Sequence, residues 1–284
     1  MNRWVEAARP KTLVAAVAPV AVGTAAADEV VPWRAAAALV VALSIQVGVN
    51  YANDLFDAER GIDTEARVGP RRAVAAGIVA PAEMKRALAL SIVVAAAAGI
   101  ALAAATTWWL LLVGLAAFAA LLAYSGGPRP YASAGLGEVF VFVFFGLVAT
   151  GGSAFVHDER LTKVAVLAAI PVGLLATAIL VANNLRDVDT DAAGGKRTLA
   201  VRLGAERTRG LYRALVLAPF AFVPVIAGVD GSAWPMLAMA AVVLALPLTG
   251  AIRGSGAALL PVLGATARLE LVFGLLLAVG LWMS

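Results

Sequence analysis

The chain has 284 residues, of which 62% are hydrophobic and only 14% are charged, and its formal net charge is +4. A soluble domain needs about a quarter of its residues charged to cover its surface, so this composition excludes an ordinary soluble globular protein and indicates that lipid covers much of the chain. The lack of cysteine excludes disulfides, thiolate metal sites and cysteine nucleophiles, and the small net charge gives no reason to expect nucleic acid as a partner.

Apolar stretches of about 20 residues follow one another along the chain, and each is long enough to cross a hydrocarbon core of roughly 30 Å as a helix. Their Ala, Leu and Val residues do not alternate strictly with polar ones, which favours helices over a β-barrel. The sequence therefore predicts an all-α polytopic membrane protein. The nine predicted spans are 12–29, 33–53, 83–105, 108–124, 135–156, 162–184, 208–229, 234–252 and 262–283.

Basic residues are divided unequally between the two sides of these spans. Of the 22 Lys and Arg residues, all but Arg34, Arg160 and Lys163 fall in the N-terminal segment or in the connections after the second, fourth, sixth and eighth spans. Because positively charged loops stay in the cytoplasm, we predict a multi-pass plasma-membrane protein with a cytoplasmic N-terminus and an outside C-terminus. The only histidine, His157, lies in a polar connection on the outer side and is expected to be solvated.

Two connections on the cytoplasmic side, residues 54–82 and 185–207, are longer than the others and rich in Gly, Asp and Arg. Each follows a helix that ends in Asn and Asp, and each then carries more Asp, Gly and basic residues. Asp54 and Asp187 lie four spans apart. This spacing suggests a single domain, 1–284, with a duplicated four-helix unit in 12–124 and 135–252.

A stripe of polar residues leads into the first long connection. Gln46, Asn50, Asp54 and Asp57 are spaced four, four and three residues apart, so on a continuing helix they share one face. Asp63 follows as a further acid. The stripe begins inside an apolar span and ends in two carboxylates at its cytoplasmic mouth.

The second long connection repeats this arrangement. Asn183, Asp187 and Asp191 are four residues apart and again share one helical face, with Asp189 between them. Carboxylates at this density repel one another and are costly to desolvate unless a cation compensates. Oxygen ligands without His or Cys suit Mg²⁺, which typically uses one or two carboxylates and completes its shell with water and phosphate.

Basic residues stand beside both acidic clusters, namely Arg67, Arg71 and Arg72 after the first and Arg186, Lys196 and Arg197 with the second. Acids that hold a metal and bases that hold an anion are what a diphosphate requires. One such loop alone is equally well explained by solvated charges in local ion pairs. Two similar loops on the same side, each continuing a polar stripe, favour a diphosphate site.

No residue resembles a strong nucleophile or a histidine base, and transfer of an allylic group needs neither. Metal and cationic side chains stabilise a departing diphosphate, and aromatic faces shield the allylic cation that remains. The aromatic candidates are Tyr51, Phe56, Tyr124, Tyr131 and the run Phe140, Phe142, Phe144, Phe145. For the Phe run, lipid contact or core packing is the expected role.

The two acidic motifs resemble those of the UbiA superfamily of intramembrane prenyltransferases, and in particular its 1,4-dihydroxy-2-naphthoate polyprenyltransferase branch in menaquinone biosynthesis. The similar stretches are 9–13, 53–57, 67–72, 130–138 and 183–204. The last stretch is the most specific, whereas the helices beyond it match mainly in hydrophobic character.

This resemblance implies helices around a central cavity, a cytoplasmic cap and dependence on Mg²⁺. It implies transfer of a polyprenyl group from polyprenyl diphosphate to 1,4-dihydroxy-2-naphthoate, with release of diphosphate and loss of the naphthoate carboxylate to give demethylmenaquinone. The catalytic and metal-binding set would be Asn53, Asp54, Asp57, Asp187 and Asp191. Diphosphate contacts would come from Arg67, Arg72, Lys196, Arg186 and Asn183, and the acceptor or prenyl pocket from Lys11, Gln46, Asn50, Asp63 and Tyr131.

Two alternatives stay open at this point. A transporter or channel would also be polytopic, although transporters usually place polar sites near the bilayer midplane, whereas these acids cluster at the ends of spans. A related enzyme could use another acceptor, such as a hydroxybenzoate, homogentisate, a tetrapyrrole or haem. The sequence predicts neither the prenyl chain length nor the oligomeric state.

Overall fold

The structure, a computed structural model, describes residues 2–61, 69 and 72–284, and these residues form helices joined by turns and loops, without a β-strand among them. Predicted site residues Asp63, Arg67 and Arg71 lie outside the described residues. The helices are α1 Arg3–Ala8, α2 Val14–Ala25, α3 Pro32–Glu59, α4 Pro81–Ala105, α5 Leu110–Ser125, α6 Gly137–Asp158, α7 Lys163–Arg186, α8 Val188–Ala193, α9 Leu199–Leu203, α10 Ala205–Asp230, α11 Trp234–Ala251 and α12 Gly256–Trp282.

Seven of these helices, α3, α4, α6, α7, α10, α11 and α12, are long and apolar enough to cross a membrane. The all-α polytopic prediction is therefore confirmed. Two further apolar helices are shorter, since α2 has 12 residues and α5 has 16. A helix of 12 residues is only about 18 Å long, so the predicted total of nine spans is not confirmed.

Two helices extend further than the predicted spans, and only the first of them carries the aspartates of its motif, because the second ends just before Asp187. Helix α3 continues to Glu59, so Asp54 and Asp57 lie on its last turns, as the polar stripe predicted. Helix α7 continues to Arg186. The connection predicted at 185–207 is largely helical, because it contains α8 and α9.

The buried apolar residues form a large core and two smaller ones. The large core surrounds α7 and includes side chains of α10, α11 and α12, such as Tyr212 and Phe273. One smaller core joins α1, α3 and α4 through Ala7, Leu55 and Met84. The other joins the first half of α3 to α2, α4 and α6 through Ala38, Val20, Leu102 and Val156. A cavity runs along one face of α3.

Helices α6 and α7 cross at very short range. A Cβ atom added to Gly146 would lie 2.5 Å from the Cα of Gly173, so only glycine allows this approach. Immediately around the crossing, residues Phe142–Val148 form a π-helical segment within α6. Such a segment adds a residue to the turn and shifts the faces that the flanking residues present.

At the end of the bundle opposite the acidic motifs, Arg34 joins three helices. It donates hydrogen bonds to the carbonyl oxygens of Val156 at 2.8 Å and Ala105 at 2.9 Å, which lie at the ends of α6 and α4. His157 is also held here. The prediction of a solvated His157 is wrong, because its side chain is only 7% exposed and its Nδ1 accepts a hydrogen bond from the Val31 N–H at 3.1 Å.

Candidate active site

The two acidic motifs meet at one end of the helix bundle through the carboxylate of Asp57. One oxygen of Asp57 accepts hydrogen bonds from the Arg72 guanidinium at 3.2 Å and from the Lys196 ammonium at 3.0 Å. Arg72 follows α3 in sequence, whereas Lys196 follows α8, so this carboxylate links both long connections. The Asp57 side chain is 4% exposed, which makes the two ion pairs part of a buried network.

Asp54, one turn earlier on α3, holds the chain that follows the first motif. Its two carboxylate oxygens accept hydrogen bonds from the backbone N–H groups of Ala73 and Val74, both at 2.9 Å. The side chain is almost completely buried. Asp54 therefore anchors the segment that starts at Ala73 to the end of α3. Its predicted metal-binding role stays a prediction.

The second motif contains a comparable buried pair. The Arg186 Nε donates to an oxygen of Asp187 at 2.7 Å, and both side chains are buried. Helix α8 then carries Asp191, whose carbonyl oxygen accepts a hydrogen bond from the Lys196 N–H at 2.8 Å. This turn brings the Lys196 side chain within hydrogen-bonding distance of Asp57. Asp189, also on α8, is exposed.

Below the acids lies an elongated cavity of about 300 Å³. Asn53 and Asn183, one from each motif, line its upper part, and Asn53 also accepts a hydrogen bond from the Ser125 hydroxyl at 2.6 Å. From Asn53 the cavity follows a single face of α3 as far as Ala38, a distance of about 22 Å at the rise of an α-helix. The lower part is lined by aliphatic residues such as Leu102 and Val113.

A polar corner of the cavity is built around Thr12. Its hydroxyl oxygen accepts hydrogen bonds from the side-chain amides of Gln46 and Asn50, each at 3.0 Å, and donates to the carbonyl oxygen of Arg9 at 2.9 Å. Gln46, Asn50, Thr12 and Arg9 all line the cavity. Lys11, predicted for the same pocket, is exposed and is not part of the cavity wall.

An aromatic wall faces this corner. Tyr131 stacks on Phe140 with ring centroids 3.9 Å apart and meets Tyr124 edge-on at 5.4 Å. Phe140, Phe144 and Phe145 line the cavity, whereas Phe142 packs close to Gly173. Packing therefore describes Phe142, and it also describes Phe140 and Phe144, whose rings stack on each other and, for Phe140, on Tyr131. Phe140, Phe144 and Phe145 line the cavity in addition, which the sequence does not predict. Burial raises the pKa of the Tyr131 phenol, so this hydroxyl stays protonated at neutral pH.

The carboxylates suit magnesium by their chemistry. In the part of the chain that the structure describes, no three His, Cys, Asp or Glu side chains are close enough together to hold a metal ion by themselves. Mg²⁺ typically needs only one or two carboxylates when a phosphate supplies further oxygens. Asp57 and Asp187 are two such buried carboxylates, so the residues present fit Mg²⁺ bound together with a diphosphate.

Fold and site together define an all-α integral membrane enzyme with a charged cap over an apolar cavity. The sequence profile of the UbiA prenyltransferase family matches residues 16–256, so the chain belongs to this family and is a prenyltransferase. Relatives named 1,4-dihydroxy-2-naphthoate octaprenyltransferase support the assignment of the chain as a prenyltransferase. The one from Mycobacterium tuberculosis is 43% identical, over 97% of this chain and 95% of its own, and that from Escherichia coli is 37% identical, over 75% and 72%.

Solved structures with little sequence similarity share the fold. A UbiA homolog from Archaeoglobus fulgidus bound to GPP and Mg²⁺ matches 98% of this chain and 100% of its own with a TM-score of 0.70, at 15% identity. A UbiA homolog from Aeropyrum pernix K1 also matches with a TM-score of 0.70, at 16% identity. At this identity the likeness shows the fold alone.

Proposed function

We propose that this enzyme transfers a polyprenyl group from a magnesium-bound polyprenyl diphosphate to 1,4-dihydroxy-2-naphthoate, releasing diphosphate and CO₂ to give demethylmenaquinol, the reduced form of demethylmenaquinone. The observation that carries the proposal is the Asp57 junction, where acids and bases from both motifs meet at the top of an apolar cavity. The names of the relatives from Mycobacterium tuberculosis and Escherichia coli support this acceptor.

When the diphosphate binds, the basic side chains of the site would exchange their carboxylate partners for diphosphate oxygens. Arg72, Lys196 and Arg186 each pair with a carboxylate of a motif. When bound, Mg²⁺ supplies positive charge that neutralises the leaving diphosphate. Asp57 and Asp187 would hold that ion, and the three basic side chains would then turn to the diphosphate oxygens.

The prenyl tail and the acceptor would share the cavity below. The apolar face of α3 accommodates the tail, since aliphatic residues line it for most of its length. As the bond between the prenyl carbon and the diphosphate oxygen breaks, the faces of Tyr131, Phe140 and Phe144 stabilise the allylic cation. The electron-rich naphthoate ring then attacks this carbon.

The direct test is turnover by the purified enzyme in lipid nanodiscs with a polyprenyl diphosphate and 1,4-dihydroxy-2-naphthoate. In the presence of Mg²⁺ we expect diphosphate and a prenylated naphthoquinol, which is recovered as the quinone after oxidation in air, and neither product when EDTA is present. Asp187→Asn and Asp54→Asn should abolish turnover, whereas Asp189→Asn, at an exposed acid of the same motif, should retain it. Near-normal turnover of Asp187→Asn would contradict the proposed site.

Acceptor identity requires a separate experiment. One prenyl donor is incubated with 1,4-dihydroxy-2-naphthoate, a hydroxybenzoate, homogentisate and a haem as competing acceptors. Preferential conversion of any other acceptor would contradict the naphthoate assignment while leaving the prenyltransferase intact. A transporter is no longer a competing interpretation, because the chain belongs to an enzyme family.

A further inference from the structure

Three glycines line the half of the cavity that lies away from the acidic motifs, and each belongs to a different helix. They are Gly99 on α4, Gly114 on α5 and Gly152 on α6. A Cβ atom added to any of them would meet no atom of the described residues within 4 Å. On the basis of the proposed function, which puts the prenyl tail in this cavity, we infer that the three glycines determine how long a prenyl chain the enzyme accepts.

Helix packing does not explain these glycines. Glycine inside a helix is destabilising relative to alanine, and membrane helices usually offset this through close contact between helices. Gly146 and Gly173 make such a contact, with an added Cβ on the first only 2.5 Å from the Cα of the second. Gly99, Gly114 and Gly152 make none with the described residues. What they provide instead is free width in the cavity.

The open space beside each glycine is cavity, because all three lie on inward faces of their helices. Gly99 is three residues from buried Leu102 on α4, and Gly114 is three residues from buried Ala117 on α5. Gly152 lies two turns beyond the last aromatic residue of the cavity wall on α6. Residues three, four or seven apart share one face of a helix, so a side chain at any of the three positions would point into the cavity.

Two of the glycines lie at the same depth. An added Cβ on Gly48 of α3 would be 2.9 Å from the Cδ1 of Leu121 and 3.6 Å from the Cβ of Ser91, so these residues of α3, α5 and α4 share one level. Gly99 is eight residues beyond Ser91, and Gly114 is seven residues before Leu121. Both offsets lead about 11 Å further from the acidic motifs.

Gly152 reaches nearly the same depth by an independent route. Val156 on α6 and Ala38 on α3 belong to one buried cluster, and Gly152 lies one turn from Val156 towards the acidic motifs. This puts Gly152 near Ala42 on α3, close to the level at which the other two glycines lie. Ala42 also lines the cavity and is about 17 Å from Asn53 along the helix.

This arrangement makes donor length the property that a larger side chain would test. A short prenyl chain ends before it reaches the three glycines, whereas a long one has to pass between them. A leucine at one of these positions would collide with the long chain but with none of the described protein atoms around the added Cβ. It should therefore discriminate between donors rather than disrupt the fold.

The test compares a short donor, geranyl diphosphate, with a long one, octaprenyl diphosphate, in the wild type and in Gly152→Leu in lipid nanodiscs. We expect the ratio of kcat/KM for the long donor to that for the short one to fall by about 10- to 100-fold, the effect of forcing extra methylene groups into occupied space. Gly99→Leu and Gly114→Leu should act in the same direction. The control is Gly228→Leu, at an exposed glycine of α10 outside the cavity wall, which should keep the wild-type ratio.

Two outcomes would overturn the inference. An unchanged ratio in all three leucine variants of the cavity would show that the chain leaves it before reaching the glycines. An equal fall in Gly228→Leu would show a general effect of added bulk. The inference fails alone if the wild type is active, whereas a wild type that prenylates 1,4-dihydroxy-2-naphthoate with neither donor refutes the proposed function. Thermal unfolding shows whether each variant is folded, and alanine variants at the same positions, with a smaller expected fall, carry the test if the leucine variants are not.

Discussion

One oxygen of Asp57 carries two cationic partners, and the second, Lys196, comes from the other acidic motif. Lys196→Met would remove one proposed diphosphate ligand. Among the described contacts, Arg72 would then be the remaining partner of that Asp57 oxygen. We expect KM for the polyprenyl diphosphate to rise about 10- to 100-fold, with a smaller change for the acceptor. Steady-state kinetics with each substrate varied in turn measures both effects.

A matched control exists at the surface. Lys85 pairs with Glu59 at 2.8 Å, but both side chains are largely exposed, so their interaction is screened by water. Lys85→Met should leave KM within about twofold of the wild type, since exposed pairs contribute about 0–1 kcal/mol. Equal effects of the two substitutions would show that Lys196 acts only through the overall charge of this surface.

Thr12 is the second residue whose role can be isolated. Its hydroxyl accepts hydrogen bonds from Gln46 and Asn50, so Thr12→Ala leaves two amide donors of the cavity without this acceptor. We expect the free energy of unfolding to fall by about 1–3 kcal/mol. Thr12→Ser keeps the hydroxyl and should stay within about 1 kcal/mol of the wild type. Unfolding in detergent measures both, and a Thr12→Ala enzyme as stable as Thr12→Ser would refute the role of the hydroxyl.

At the level of helices, the crossing of α6 and α7 depends on two glycines. A methyl group at Gly146 would lie 2.5 Å from the Cα of Gly173, so Gly146→Ala must push the helices apart. We expect a loss of about 1–3 kcal/mol in the free energy of unfolding, the usual cost of overpacking. Activity should also fall, because α6 carries three aromatic residues of the cavity wall.

The control for this crossing is Gly264→Ala on α12, where an added Cβ meets nothing within 4 Å. Alanine favours helix by up to about 1 kcal/mol relative to glycine, so this variant should be at least as stable as the wild type. Differential scanning fluorimetry of both variants gives the comparison. A Gly146→Ala protein that unfolds no earlier than Gly264→Ala would contradict the close packing of α6 on α7.

For the whole molecule, the orientation predicted from the basic loops can be tested because the chain contains no cysteine. Ala192 in α8 and Ala233 before α11 are both exposed, and they lie at opposite ends of the bundle. In intact cells, a membrane-impermeant maleimide should label Ala233→Cys and should label Ala192→Cys only after permeabilisation. The reverse pattern would invert the proposed topology and place the acidic motifs outside.

Much of this architecture could be predicted because membrane helices are long, apolar and interrupted by few polar residues. The stripe from Gln46 to Asp57 was found by its helical spacing, and the structure places it on α3 as predicted. Asn183 was found in the same way on α7. The duplicated four-helix unit and the total of nine spans stay predictions, since hydrophobic length does not decide whether α2 and α5 cross fully.

What escaped prediction depends on backbone geometry and on contacts between distant segments. Arg9 stands in a basic N-terminal segment like those of many membrane proteins, and only its left-handed backbone and the neighbouring α3 place it in the cavity wall. The π-helical segment of α6 has no signature in the apolar pattern, so the sequence predicts lipid contact or core packing for the Phe run and does not predict that three of its residues line the cavity. His157 was misplaced because its partner, Val31, is far away in sequence.

Arg34 crosslinks three helices near the end of the cavity that lies away from the acidic motifs. Its hydrogen bonds to Val156 and Ala105 tie α3, α6 and α4 together one turn beyond Ala38, the last cavity residue on α3. A prenyl chain lying along this face has about 22 Å of α3 beside it before it reaches the level of this crosslink. A chain longer than that extends beyond the part of α3 that lines the cavity, towards the ends of α4 and α6.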